Sequence, residues 1–366
     1  MGHDLNLRLG ERLNSGSLKM PLTEKYLALL DEYYDDEHAL VAADFPHGKN
    51  TAAQLSEKLN RDEKELVEIL EDMAHNGLLF TEKNENGEYL YALQPFFPGV
   101  VELILMRGGE TPRDIKRSKM MRDFSGDLFD MMKILQDNAE LSKELPMPSA
   151  VRTITVEEVL PEDSSEIYSY ERLTELINMH DSFSASICYC RHNAVLEGSP
   201  CSTEGIPKYS CIALGKGADF IVDRKFGKRI SKEECLEIMK DVEKAGLVHN
   251  VNNSIGDTGF VCNCCSCCCG LIETIKTIDG KGMLAYSNFE VAVDEESCTG
   301  CGECVERCPL DAMSIEEDVV SINRNHCVGC GNCNSVCPEE ALSMVRRSHH
   351  NEPPKLSKEE SGFTGM

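Results

Sequence analysis

The chain has no long apolar run. The longest, around Val100 to Met106, falls far short of the ~20 residues that a membrane-spanning helix needs, which excludes such a span. Met1 to Met20 is polar and mixed in charge, without the apolar stretch and small-residue cleavage site of a secretory leader. The expectation is a cytoplasmic protein, where thiols stay reduced and dense cysteine usage signals metal rather than disulfides. Basic residues are also scarce: 37 Lys and Arg stand against 63 Asp and Glu, a formal net charge of -26. Phosphate backbones attract a net basic surface, so nucleic acid is disfavoured as a partner. An acidic protein suits a redox partner with a basic docking patch, although acidity also serves solubility alone. No nucleotide or flavin fingerprint is present. Gly215-Lys216-Gly217 lacks the remaining elements of a phosphate loop. Tryptophan is absent too, and that absence excludes nothing.

Cysteine, by contrast, is abundant, with 19 in 366 residues. Eight fall into two copies of C-x2-C-x2-C-x3-C-P: Cys298, Cys301, Cys304, Cys308 with Pro309, then Cys327, Cys330, Cys333, Cys337 with Pro338. This resembles the bacterial two-cluster ferredoxins, in which three cysteines of a run hold one 4Fe–4S cubane and the fourth reaches the other cluster. The resemblance implies one cluster on Cys298, Cys301, Cys304 and Cys337, and a second on Cys327, Cys330, Cys333 and Cys308. Gly300, Gly302, Gly329 and Gly331 supply turns that bring backbone near the sulfides. A zinc ribbon or a disulfide framework is disfavoured, because zinc knuckles rarely carry third and fourth cysteines at this spacing twice.

The middle of the chain holds a second cysteine system: Cys188, Cys190, Cys201 and Cys211, then Cys262, Cys264, Cys265, Cys267, Cys268 and Cys269 in one short run. Six thiols in eight positions are not core packing, and unligated they would be an oxidation hazard. Thiolate-rich sites suit iron–sulfur clusters, zinc or Cu(I), and a metallothionein-like store is one reading of the run. Beside a ferredoxin domain, we expect Cys188, Cys190, Cys201, Cys211, Cys262, Cys264, Cys265, Cys267 and Cys268 to hold one or two further iron–sulfur clusters. A non-cubane cluster is open, since adjacent cysteines can reach different metals, and spacing does not partition the ligands. Cys235 lies on the apolar stripe of a helix opened by a Ser231/Glu234 capping box and reads as core. His192 and His249 sit near the cysteines, and a structural role is favoured over ligation for both. Arg191 is placed to offset cluster charge.

The N-terminal third reads as helix, helix–turn–helix and hairpin. Leu22, Tyr26, Leu29, Leu30 and Tyr33 repeat at helical spacing. Thr51 caps a helix carrying Leu55 and Leu59, and Leu66, Ile69, Leu70 and Met73 stripe a third. Asn86-Gly87 is a hairpin turn signal between the runs 78–81 and 89–93. That order is winged-helix-like. Its candidate recognition helix, Arg61 to Ala74, is acidic, which favours protein docking over DNA reading. Downstream, Arg113, Lys116, Arg117, Lys119 and Arg122 open a helix with Phe124, Leu128, Met131, Met132 and Leu135 as its stripe, closed by Pro146 and Pro148. We read it as a connector with a solvated basic start, in preference to a site for an acidic partner.

The motifs I-C-Y-C-R-H, C-I-A-L-G, F-G-K-R-I-S-K-E-E, G-L-V-H and C-N-C-C-S-C-C-C-G, followed by the ferredoxin repeats, occur in this order. They are similar to large multi-cluster 4Fe–4S ferredoxin-type proteins of anaerobic bacteria and archaea, over residues 150–345. The resemblance implies iron–sulfur electron transfer in an anaerobe and supplies no substrate. The expected architecture is α+β and multidomain: an N-terminal tail (1–20), a winged-helix-like docking domain (21–105), a helical connector (106–149), a cysteine-rich α/β middle domain (150–285), a two-cluster ferredoxin fold (286–345) and a disordered tail (346–366). The expected function is one-electron transfer to or from a partner oxidoreductase. Two alternatives stand beside it: an oxidoreductase subunit with a catalytic cluster at Cys262–Cys269, and an iron–sulfur redox-sensing regulator.

Overall fold

The computed structural model describes residues 2–14, 20–138, 149, 151–161, 167–255, 258–277, 284–348 and 352–355. Helix makes up 45% and strand 19%, a mixed α+β chain.

At the N-terminus, α1 (His3–Leu13), α2 (Glu24–Tyr33), α3 (Asp36–Ala43), α4 (Ala52–Leu59) and α5 (Glu63–His75) surround a small sheet. The sheet comprises β1 (Asn50–Thr51), β2 (Leu79–Lys83) and β3 (Tyr89–Leu93) in the order β1-β3-β2. Thr51 and Gln54 form a reciprocal capping box on α4, and Gly87 takes the left-handed conformation at the hairpin turn. The first residues, expected as a tail, instead form α1. Leu5, Leu9 and Leu13 recur every fourth position, and Leu9 and Leu13 are buried in the core, so a short apolar stripe among charges was enough to dock the segment.

After the short α6 (Val101–Met106), α7 (Pro112–Asp137) also belongs to this core. Phe124 is fully buried and its ring stacks on Tyr26 with centroids 5.3 Å apart. The basic start of α7 is solvated, with Arg113 and Lys116 exposed, and it also carries ion pairs: these two reach the Glu32 carboxylate at 2.8 and 2.5 Å, and Arg117 approaches it at 3.6 Å. The side chain of Leu135 and residues Pro146 and Pro148 lie outside the described residues.

The middle segment builds a seven-stranded sheet: β4 (Val151–Ile154), β5 (Phe183–Ile187), β6 (Tyr209–Leu214), β7 (Lys228–Ile230), β8 (Val248–Asn252), β9 (Phe260–Cys264) and β10 (Leu284–Ala285). The order is β10-β4-β8-β9-β6-β5-β7, antiparallel throughout except for the β10–β4 pair. β4 stops at Ile154, and two residues on the Val156 N–H turns to the Cys330 carbonyl at 2.9 Å.

The last segment pairs β11 (Phe289–Val293) with β14 (Leu342–Arg346) and folds β12 (Met313–Glu316) onto β13 (Val319–Ile322). The disordered tail was expected to begin at 346, yet Arg346 closes β14 and pairs with Glu171 at 2.7 Å. The Ile255 N–H also donates to the Pro354 carbonyl at 2.9 Å. Chain termini order when such partners tie them down. Residues 349–351 and 356–366, Gly365 included, lie outside the described residues.

The middle segment serves as the platform for both ends. Phe80 of β2 packs on Phe220 with ring centroids 5.0 Å apart. Arg224 forks onto Glu71 of α5 at 2.6 and 3.2 Å and donates to Thr81. On the opposite side, Thr155 donates to the Gly329 carbonyl at 2.7 Å, and Asn332 donates to the carbonyls of Gly246 and Leu247 at 2.9 and 3.1 Å.

Candidate metal centres

The two C-terminal cysteine runs cross. Cys298, Cys301, Cys304 and Cys337 line one cavity of about 340 Å³, counting its part open to solvent. Cys308, Cys327, Cys330 and Cys333 line another of similar size. The exchange of Cys337 and Cys308 follows from the antiparallel β11–β14 pairing, which lays one run alongside the other. The loops between cysteines turn through left-handed glycines, with φ of 85° at Gly302 and 86° at Gly331. A side chain at Gly329 would collide with the Phe289 carbonyl. Hence the backbone can wrap the cavity only where Cβ is absent. The Ala312 N–H points at Cys308 Sγ, 3.4 Å away, the kind of donor that tunes a cluster sulfur. Burial pushes the Cys330 thiol up to about 12, so a metal binding there must displace a firmly held proton. Four soft donors around a glycine-turned, low-polarity cavity fit an iron–sulfur cubane.

The eleven middle cysteines separate into groups that spacing alone left open. Cys188 follows β5 as the N-cap of the helix Tyr189–Leu196, and Cys190 lies in that helix's first turn; Cys211 lies on β6, Cys262 and Cys264 lie on β9, and Cys269 precedes the helix Gly270–Thr277. Hydrogen bonds join four of these thiols in a chain, Cys188 to Cys190 to Cys269 to Cys264, and the bonded pair Cys211 and Cys262 lies beside them, with Cys262 near Cys264 and Cys188. The hydrogen bond from Cys190, followed by burial, holds the Cys188 thiol well above its ordinary value. The Cys211 contact and burial do the same for Cys262. Cys269, absent from the expected ligand set, belongs in this chamber, and its neighbour Gly270 marks where the run turns into a helix. The signal available in the sequence was only its place in the run.

The other group is Cys201, Cys265, Cys267 and Cys268, whose four sulfurs all lie within 4.8 Å of one another. Arg191 stands between the groups: it donates to the Asn263 carbonyl at 3.0 Å and to Ser210. Burial opposes its charge, but the thiols of Cys188 and Cys265 hold the guanidinium above its usual range.

Cys235 is fully buried with burial raising its thiol to about 12, and it faces apolar core. His192 bonds the Gly109 carbonyl at 2.8 Å, and His249 bridges Asn263 at 2.6 Å and Glu243 at 3.1 Å. Both imidazoles are therefore engaged away from sulfur. Sequence reasoning missed Glu102 of α6, which is buried with the Gly99 N–H on one oxygen at 2.6 Å and burial raising its carboxyl to about 7. It lies in an apolar run where one acid carried no signal.

A family model for the 4Fe–4S dicluster domain matches residues 291–344. The C-terminus is thus a ferredoxin-type iron–sulfur domain, and with the cysteine-rich middle it points to iron–sulfur electron transfer. No curated protein and no solved structure matches the chain. Among the described residues no helix is long and apolar enough to cross a membrane.

Proposed function

We propose that the chain passes single electrons between a partner oxidoreductase and its own clusters, with the C-terminal pair leading into a further cluster in the six-thiol chamber. The observation that carries this reading is the crossing: each C-terminal cavity is lined by three cysteines of one run and the fourth of the other, the ligand arrangement of two neighbouring cubanes. Cys298, Cys301, Cys304 and Cys337 would hold the first, and Cys308, Cys327, Cys330 and Cys333 the second. When bound, the clusters supply the one-electron chemistry; the protein supplies ligand geometry, sulfur hydrogen bonds and burial.

The second cavity is the one that meets the middle segment, since Gly329, Cys330 and Asn332 bond to it directly. That contact supports a route inward rather than an isolated ferredoxin module. Cys188, Cys190, Cys211, Cys262, Cys264 and Cys269 offer two more thiols than a cubane needs. That surplus is the observation favouring the second reading, a larger or non-cubane cluster with chemistry of its own. The N-terminal unit reads as a winged-helix docking module. Its α5 and β2, where a DNA-reading face would lie, carry Glu71 and Glu82, which are paired with Arg224 and Lys216 of the same chain. This weighs against the regulator.

Iron and sulfide analysis of anaerobically purified protein, with low-temperature paramagnetic resonance after reduction, tests the reading. About twelve iron atoms and three reduced signals are expected with three cubanes; about eight, with the chamber thiols free to alkylate, would refute the inward route. Cys337→Ala should perturb the cluster of Cys298, Cys301 and Cys304 while the signal of the second stays unchanged.

A further inference from the structure

We infer that Cys201, Cys265, Cys267 and Cys268 hold a single tetrahedral metal ion of the zinc class, not an iron–sulfur cluster. The argument is one of sulfur spacing. Cys201 Sγ stands 3.3 Å from Cys267 Sγ and 3.7 Å from Cys265 Sγ. Cys267 Sγ stands 3.7 Å from Cys265 Sγ and 3.6 Å from Cys268 Sγ. Zn–S bonds of about 2.3 Å at tetrahedral angles place the four sulfurs about 3.8 Å apart. A cubane interposes its own iron and sulfide between the thiolates and so needs them much further apart.

The same chain provides the contrast. The eight C-terminal cysteines line two open pockets, four to each, and among the described residues no three of them come within that 4.8 Å limit. The two kinds of sulfur spacing therefore occur in one chain.

The surroundings suit a closed structural site. All four positions are filled by protein thiols, which leaves none open for substrate. Cys201 lies in the long connection between the helix Tyr189–Leu196 and β6, while Cys265, Cys267 and Cys268 form the turn after β9. An ion on these thiols would pin that connection to the turn whose ends supply Cys264 and Cys269 to the six-thiol chamber. Thr203 Oγ1 lies 3.8 Å from Cys267 Sγ, and Ser202 donates to the same sulfur; such outer partners orient thiolate ligands. Four thiolates around a divalent ion leave a net negative site, and Arg191 beside Cys265 offsets it.

This inference is independent of the electron-transfer reading, and its test separates the two. The full chain, purified anaerobically, is analysed for zinc, iron and sulfide, as wild type and as Cys267→Ser and Cys301→Ser. Cys267 is the exposed member of the group, so its replacement disturbs the fold least. The expected result is about one zinc per chain, lost in Cys267→Ser with iron and sulfide unchanged, whereas Cys301→Ser loses iron and keeps zinc. A companion measurement needs no variant: X-ray absorption at the zinc edge should show four sulfur neighbours at about 2.3 Å. Loss of several iron atoms with sulfide in Cys267→Ser, or a wild-type chain without zinc whose iron exceeds what the other cavities take, would overturn the inference. Loss of iron from wild type overall would instead strike the electron-transfer reading and leave the zinc result standing.

Discussion

Gly302 and Gly331 form a matched pair through which the docking of the ferredoxin domain can be weighed. Their φ values are 85° and 86°, so alanine at either site incurs the same left-handed penalty of about 1–2 kcal/mol. Their surroundings differ completely. A Cβ at Gly302 meets nothing within 4 Å, whereas one at Gly331 stands 2.7 Å from Val159 Cγ2 and 3.2 Å from Thr155 Cγ2 on the middle segment. Val159 and Thr155 flank the Val156 N–H that bonds Cys330, so neither can retreat without loosening that bond. Gly331→Ala should therefore carry an added overpacking cost of about 1–3 kcal/mol. At about 2 °C per kcal/mol for a chain of this length, the two variants should separate by about 2–6 °C. Thermal loss of the visible cluster absorption under argon, with circular dichroism followed in parallel, measures the separation. Gly331→Ala should also make the second cluster more accessible to chelators, while Gly302→Ala leaves it protected. If the two variants melt together and release iron alike, the ferredoxin domain does not rest on the middle segment in the way described, and the route through that contact fails with it.

Burial raises Glu102 from 4.5 to about 7. A raised acid contributes stability that is complete below pH 4.5 and is lost as pH climbs through about 7. Denaturant titrations from pH 5 to 8 should show wild type losing up to about 3 kcal/mol and Glu102→Gln staying flat; parallel curves would refute the assignment. Arg224 is buried on the half-exposed Glu71, and Arg224→Ala should loosen α5 and β2 from the middle segment by about 1–3 kcal/mol. Amide hydrogen exchange in α5 reads that directly, and unchanged protection would refute it.

What the sequence disclosed depended on whether a signal was local. The two ferredoxin runs are local patterns in which spacing alone dictates a turn and a ligand set, and Cys337 and Cys308 lie where that pattern puts them. The helix caps at Thr51 and Ser231 are equally local: both form, and at Thr51 the structure adds a reciprocal box with Gln54. The partition of the middle cysteines is not local. Cys264 and Cys265 are adjacent, yet Cys264 ends β9 and Cys265 begins the turn after it, so one sulfur joins the six-thiol chamber and the other the four-thiol group. Only the sheet order, with β6 beside β9 and Cys211 beside Cys262, decides which thiols meet. The ion-pair partner of the basic start of α7 is non-local in the same way: Arg113 and Lys116 stay exposed, and only the fold brings Glu32 of α2 to them.

The net charge of -26 acquires a sharper meaning once the thiols are placed. Thiolates bound to metal add further negative charge in an interior where Coulomb terms are strong, so local cations are needed regardless of the surface. The chain spends few basic residues, and several lie at these junctions. Arg191 sits between the thiol groups, and Lys276 ties Ser266 of the cysteine run to Asp311 of the ferredoxin domain at 2.6 and 2.8 Å. Arg307 donates to the Glu243 carbonyl across the same interface at 2.7 Å. Cations at the seams favour taking up an electron nearby, because each reduction adds negative charge beside them. The outer acidity, in contrast, faces whatever docks. With clusters bound as proposed, these cations would set how readily they accept electrons, whatever the charge of the outer surface.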